Sequence, residues 1–67
     1  MQKIFGNAKE IIIELNGKRF AGRYIVKNRI VTVTSGFGEK STQVGGSNPE
    51  SLARIILEEL VRENGNP

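Results

Sequence analysis

The sequence predicts an α+β domain, a four-stranded antiparallel β-meander packed on one C-terminal α-helix in the order ββββα. Three observations predict it. Asn16-Gly17 sits between two stretches rich in β-branched residues, the strongest hairpin signal a two-residue segment offers. Alternation of period two continues from Glu10 to Val44, broken only by turn-forming residues. Beyond Gly45-Gly46 the apolar spacing changes to 3.6 and holds nearly to the end.

Residues 1–8 carry no clear period and read as a loosely ordered N-terminal arm, 9–64 as a single domain, and 65–67 as a tail. The first strand runs through Glu10-Ile-Ile-Ile-Glu-Leu15 and the second from Lys18 to Val26. If Asn16-Gly17 is a type I′ loop, Leu15 faces Lys18, Ile13 faces Phe20 and Ile11 faces Gly22. That register places Ile11, Ile13 and Leu15 on the same side as Phe20, Gly22, Tyr24 and Val26, which defines a core face. A turn at Lys27-Asn28 is expected next, setting Val31 opposite Tyr24 and Val33 opposite Gly22. Gly36-Phe37-Gly38-Glu39 reads as a four-residue loop. It leads to a fourth strand from Lys40 to Val44, with Thr42 and Val44 opposite Val33 and Val31.

A helix from about Pro49 to Asn64 follows, with Gly65 suited to cap its end. Its start fits two motifs: a Ser47-to-Glu50 capping box, or an Asn48 N-cap with Pro49 in the first helical position. Leu52, Ala53, Ile56, Leu57, Leu60 and Val61 form its apolar stripe, and Ile55 lies about 60° beyond that arc. Arg54, Glu58 and Arg62 follow i, i+4 spacing on the solvent side. The expected core is Ile11, Ile13, Leu15, Phe20, Tyr24, Val26, Val31, Val33, Val44, Leu52, Ile56, Leu57 and Leu60.

Size and composition narrow the function classes. A chain of 67 residues buries only about 60% of the surface its unfolded form exposes, so self-association is one available source of stability. The chain contains no Cys and no His, and neither Asp nor Trp occurs. Disulfides, thiol nucleophiles, imidazole bases and the usual zinc clusters are thereby removed. Glu58 and Glu59 fall on different helical faces, so they do not converge as an acid and base pair. No metal, no cofactor and no enzymatic activity are expected. The first residues, Met1 to Gly6, lack the apolar run of a secretory signal, and no window reaches the roughly 20 apolar residues of a membrane span. A cytoplasmic location is the expectation.

The net charge is +3. Basic residues concentrate up to Lys40 and glutamates from Glu50 onward, so the sheet half is basic and the helix half acidic. Alternation puts Ile12, Arg19, Ala21, Arg23, Ile25, Ile30, Thr32, Thr34, Ser41 and Gln43 on the outer face of the sheet. Two binding readings arise there. Lys18, Arg19, Arg23, Lys27 and Arg29 with nearby hydroxyls suit a phosphate backbone. Against that, Glu14 faces Arg19 and Glu10 faces Arg23 as cross-strand ion pairs, and that face carries no aromatic side chain for bases to stack on. The competing reading is self-association through Ile12, Ile25 and Ile30, with Ile25 expected opposite Ile30, or through Ile55 on the helix. The edge of the fourth strand is a further pairing site.

Gly36-Phe37-Gly38-Glu39-Lys40-Ser41 falls short of a phosphate loop because its Lys-Ser opens a strand, where that loop requires a helix. Phe37 is expected to tuck over the core, with an exposed anchor as the alternative.

From Lys40 to Leu60 the segment K-S-T-Q-V-G-G-S-N-P-E-S-L-A-R-I-I-L-E-E-L resembles a group of very short uncharacterised bacterial proteins. In that group a strand ending S-T-Q-x-G-G leads into P-E-x-L-A-R and a leucine-rich helix. The resemblance covers about a third of the chain, implies the fold and a bacterial source, and adds no site residue because the group carries no established activity. The functional expectation is a non-enzymatic protein-interaction module that binds itself as a homodimer or binds another protein. The alternative is a weak, sequence-independent nucleic-acid binder.

Overall fold

A computed structural model describes residues 8–64; the arm and the expected Gly65 cap otherwise lie outside the described residues. The described elements are β1 (Lys9–Leu15), β2 (Lys18–Lys27), β3 (Ile30–Ser35), β4 (Gly38–Gln43) and α1 (Pro49–Asn64). All neighbouring strands are antiparallel, in the open order β1-β2-β3-β4. The fold is therefore an α+β meander with one helix across one face.

The first hairpin follows from its turn. Asn16 and Gly17 take φ of 54° and 80°, the two positive angles a type I′ turn requires. Leu15 pairs with Lys18, Ile13 with Phe20 and Ile11 with Gly22, as the alternation predicts.

The next two connections differ from expectation, each displacing the register by two residues. The second turn is centred on Asn28-Arg29, with φ of 54° and 63°, and Lys27 pairs with Ile30. Asn28 thus takes the first central position, as Asn16 does in the first hairpin. Tyr24 now faces Val33 and Val26 faces Val31, while Ser35 faces Gly22. The displacement by two residues along the strand leaves every side chain on its expected face. It also separates Ile25, which faces Thr32, from Ile30.

The third connection is a two-residue turn at Gly36-Phe37, shorter than the expected loop, with Ser35 opposite Gly38. Gly38 makes it possible with φ of 131°, in a region almost confined to glycine. The Ser35 hydroxyl secures the turn, accepting from the Phe37 N–H at 3.0 Å and donating to the Gly38 carbonyl at 3.4 Å. Lys40 then faces Val33 and Thr42 faces Val31. Val44 lies beyond β4, where its N–H donates to the Arg29 carbonyl at 2.8 Å.

Asn48 decides between the two capping motifs. Its Oδ1 accepts from the N–H groups of Glu50 at 2.8 Å and Ser51 at 3.1 Å, and Pro49 occupies the first helical position. The exposed helix face is laced by Arg54–Glu50 at 2.9 Å and Arg62–Glu58 at 2.7 Å.

The core comprises Ile11, Tyr24, Val31, Val33, Ala53, Ile56, Leu57, Leu60 and Val61, with Ile13, Leu15, Phe20, Phe37, Val44 and Leu52 half-buried against it. Phe37 does tuck inward, edge-on to Phe20 with ring centroids 5.6 Å apart. Val26 departs from the expected core and is 42% exposed. It shares the core face, but it lies at the Pro49 end of the helix, where β2 runs on past the cover that α1 provides. At Gly22 the helix sits close against the sheet: a Cβ there would lie 3.1 Å from Leu57 Cδ1.

Candidate interaction surface

The outer face of the sheet is built by alternation. In cross-strand rows it presents Glu14–Arg19, Ile12–Ala21, Glu10–Arg23–Thr34–Glu39, Ile25–Thr32–Ser41 and Lys27–Ile30–Gln43. Thr32 and Ser41 join across β3 and β4 through a hydroxyl hydrogen bond of 2.8 Å. The structure does not gather the five candidate phosphate-binding residues into one patch. Lys18 and Arg19 lie at the β1–β2 turn, while Lys27 and Arg29 lie at the opposite end of β2, about 30 Å away at the usual strand rise. Arg23 stands between them in a row ended by Glu10 and Glu39. Glu10, Glu14 and Glu39 thus offset Arg19, Arg23 and Lys27 on this face.

The expected cross-strand ion pairs need correction. Glu14 does face Arg19, and Glu10 does face Arg23, but neither pair closes to ion-pair distance among the described residues. Opposed side chains this long and exposed gain little by meeting in water, so facing positions do not guarantee a closed pair.

The four isoleucines expected to mediate self-association fall on both layers. Ile12 and Ile30 are exposed on the outer sheet face and Ile25 is half-buried there. Arg23 separates Ile12 from the other two. Ile55 is 53% exposed on the helix. It lines a groove of about 150 Å³ between α1 and β4, with Leu52, Ile56 and Glu59 on one wall and Lys40, Ser41 and Thr42 on the other.

Lys40 ties the sheet to the helix, a role not among those expected from the sequence. It shares the core face with Thr42, and its Nζ donates to Glu59 at 3.1 Å and Glu63 at 3.3 Å. These two hydrogen bonds, Glu59 first, hold its pKa above the ordinary lysine value of 10.5. The signal was present in the sequence as an even-numbered lysine on β4 and two glutamates spaced i, i+4 along one side of the helix. The consequence is structural: the ammonium group that would guard the sheet edge is drawn over the helix instead.

The open strand order leaves β1 and β4 each with one side unpaired within the described sheet. β4 is almost wholly exposed. Beside its free edge lies the Ile55 groove, so a strand edge unpaired within the described sheet and an exposed apolar residue occupy one side of the molecule.

Fold and surface together define the class: a two-layer α+β domain with open grooves and, among the described residues, two unpaired strand edges. No family model, curated protein or solved structure matches the chain. Among the described residues, no group of three or more His, Cys, Asp or Glu side chains is placed to hold a metal, and no helix is long and apolar enough to cross a membrane.

Proposed function

We propose that the protein is a non-enzymatic interaction module that associates with itself. The observation that carries this reading is the conjunction of the β4 edge, unpaired among the described residues, with the exposed Ile55 beside it. An unpaired strand edge is a template for another strand, and proteins that remain monomeric commonly protect such edges with outward-pointing lysines, prolines or bulges. In β4 the lysine is turned onto Glu59 and Glu63. Covering Ile55 and the adjoining Leu52 adds an apolar contribution to the backbone hydrogen bonds gained at the edge.

Sedimentation equilibrium from low micromolar to near-millimolar concentration, at low and high salt, tests this reading. A dimer insensitive to salt, converted to a folded monomer by Ile55→Glu, is the expected result. A monomer across the whole range would overturn it.

A second reading as a weak nucleic-acid binder draws on Arg19 and Arg23, whose guanidinium groups lie outside any ion pair among the described residues. Its mark would be oligonucleotide binding that falls steeply with salt and is abolished by Arg19→Ala with Arg23→Ala. The glutamates interleaved on the same face favour the first reading.

A further inference from the structure

We infer that the partner at the β4 edge is a second copy of this chain, joined antiparallel about a two-fold axis through Ser41, so that two four-stranded sheets become one of eight strands. This rests on the self-association reading above and specifies its geometry.

The register follows from parity and charge. A two-fold axis perpendicular to the sheet keeps both helices on one side, and residues directly opposite must then share a face. Since Lys40 and Thr42 lie on the helix face and Glu39, Ser41 and Gln43 on the outer face, even-numbered residues oppose even and odd oppose odd. Pairing Lys40 with its own copy places like charges directly opposite, which is unfavourable. Pairing Thr42 with its own copy leaves only Ser41 to Gln43 of β4 paired with each other. The remaining central register sets Ser41 against Ser41, Lys40 against Thr42 and Glu39 against Gln43. It uses β4 from Glu39 to Gln43 and puts no like charges in direct opposition.

The surrounding side chains suit that arrangement. Each Lys40 is already paired with Glu59 and Glu63 of its own helix, so the two ammonium groups on neighbouring diagonal positions each have a carboxylate partner. Short hydroxyl side chains at the centre allow close approach of the backbones. With both helices on one side, the grooves bordered by Leu52 and Ile55 face each other across the joint. The interface is isologous and closes at two copies, because each β4 edge is consumed by the other.

The absence of cysteine makes the geometry directly testable in the full chain. Ser41→Cys, oxidised with glutathione disulfide, is expected to form a covalent dimer on non-reducing electrophoresis. Directly opposed residues of an antiparallel pair lie about 4.5–5.5 Å apart, within the Cα separation a disulfide spans. Thr34→Cys, exposed on the outer face of β3 and away from the axis, is expected to stay largely monomeric under the same conditions. If the wild type sediments as a dimer but Ser41→Cys crosslinks no better than Thr34→Cys, the β4 register is overturned while self-association stands. If the wild type is monomeric throughout, both fall. Should circular dichroism show that Ser41→Cys is misfolded, amide hydrogen exchange of the wild type decides the matter. Protection of β4 amides that rises with protein concentration supports the pairing, and protection independent of concentration overturns it.

Discussion

Replacing Gly22 with alanine tests how tightly the sheet and the helix are packed. The added Cβ would meet Leu57 Cδ1 at 3.1 Å, the Thr34 carbonyl oxygen at 3.3 Å and Leu57 Cδ2 at 3.4 Å. Carbon atoms prefer about 3.5–4.0 Å, so the Leu57 side chain must retreat by several tenths of an ångström. Leu57 is fully buried and has little room to do so. Alanine in place of a strand glycine recovers about 0.5–1 kcal/mol of backbone entropy, but overpacking costs about 1–3 kcal/mol. The net loss should be about 1 kcal/mol, or roughly 1 M in urea midpoint for a protein this small. Leu57→Ala alone should cost about 3–4 kcal/mol through its cavity. In that background Gly22→Ala loses its clash and partly fills the vacated space, so its effect should reverse to a gain of about 0.5–1 kcal/mol. Urea denaturation of the four proteins, followed by circular dichroism in a stabilising osmolyte, measures this cycle. Additive effects, or a Gly22→Ala protein more stable than the wild type, would refute the reasoning.

Other substitutions probe single interactions. Arg29 sits at φ 63°, a left-handed angle that costs a residue with a Cβ about 1–2 kcal/mol. Arg29→Gly should therefore raise the thermal midpoint by about 4 °C after allowance for glycine's greater unfolded-state entropy. Asn48→Ala removes the acceptor for the Glu50 and Ser51 N–H groups and should cost about 1 kcal/mol in a thermal melt, whereas Asn48→Asp should cost little. Because the Lys40 pKa is raised above 10.5 in the folded chain, its contribution to stability is present below that value and lost as pH rises through the folded pKa. The wild type should thus lose stability more steeply than Lys40→Gln above pH 10.5, as measured by urea midpoints at successive pH values.

Local signals carried much of the architecture. Asn16-Gly17 defined a hairpin whose register held at every pair quoted for it, because a type I′ turn leaves the strands no freedom to slide. The faces of the other strands were equally legible, since alternation depends only on parity. The turns around Asn28 and Phe37 were less legible. Several adjacent residues there tolerate a turn, and shifting the register by two preserves every face, so the hydrophobic pattern does not discriminate between the options. Asn48 and Ser47 were likewise both competent caps until the backbone direction selected Asn48.

The candidate surface was legible by residue type more than by arrangement. Ile55 was identifiable as surplus to the helix stripe from its angular position, and it is exposed. Its neighbourhood with Lys40, Ser41 and Thr42 depends on how α1 lies across the sheet, which no local pattern encodes. The same is true of the basic residues: residue type and alternation suggested a phosphate-binding face, but β2 spreads Lys18, Arg19, Arg23 and Lys27 along a strand about 30 Å long.

The amino-acid order thus specifies elements, faces and first-hairpin register, because turn angles and side-chain periodicity act between residues near in the chain. Packing of α1 on the sheet, acting between residues distant in the chain, sets the Gly22–Leu57 contact, draws Lys40 away from the β4 edge and leaves Ile55 beside it.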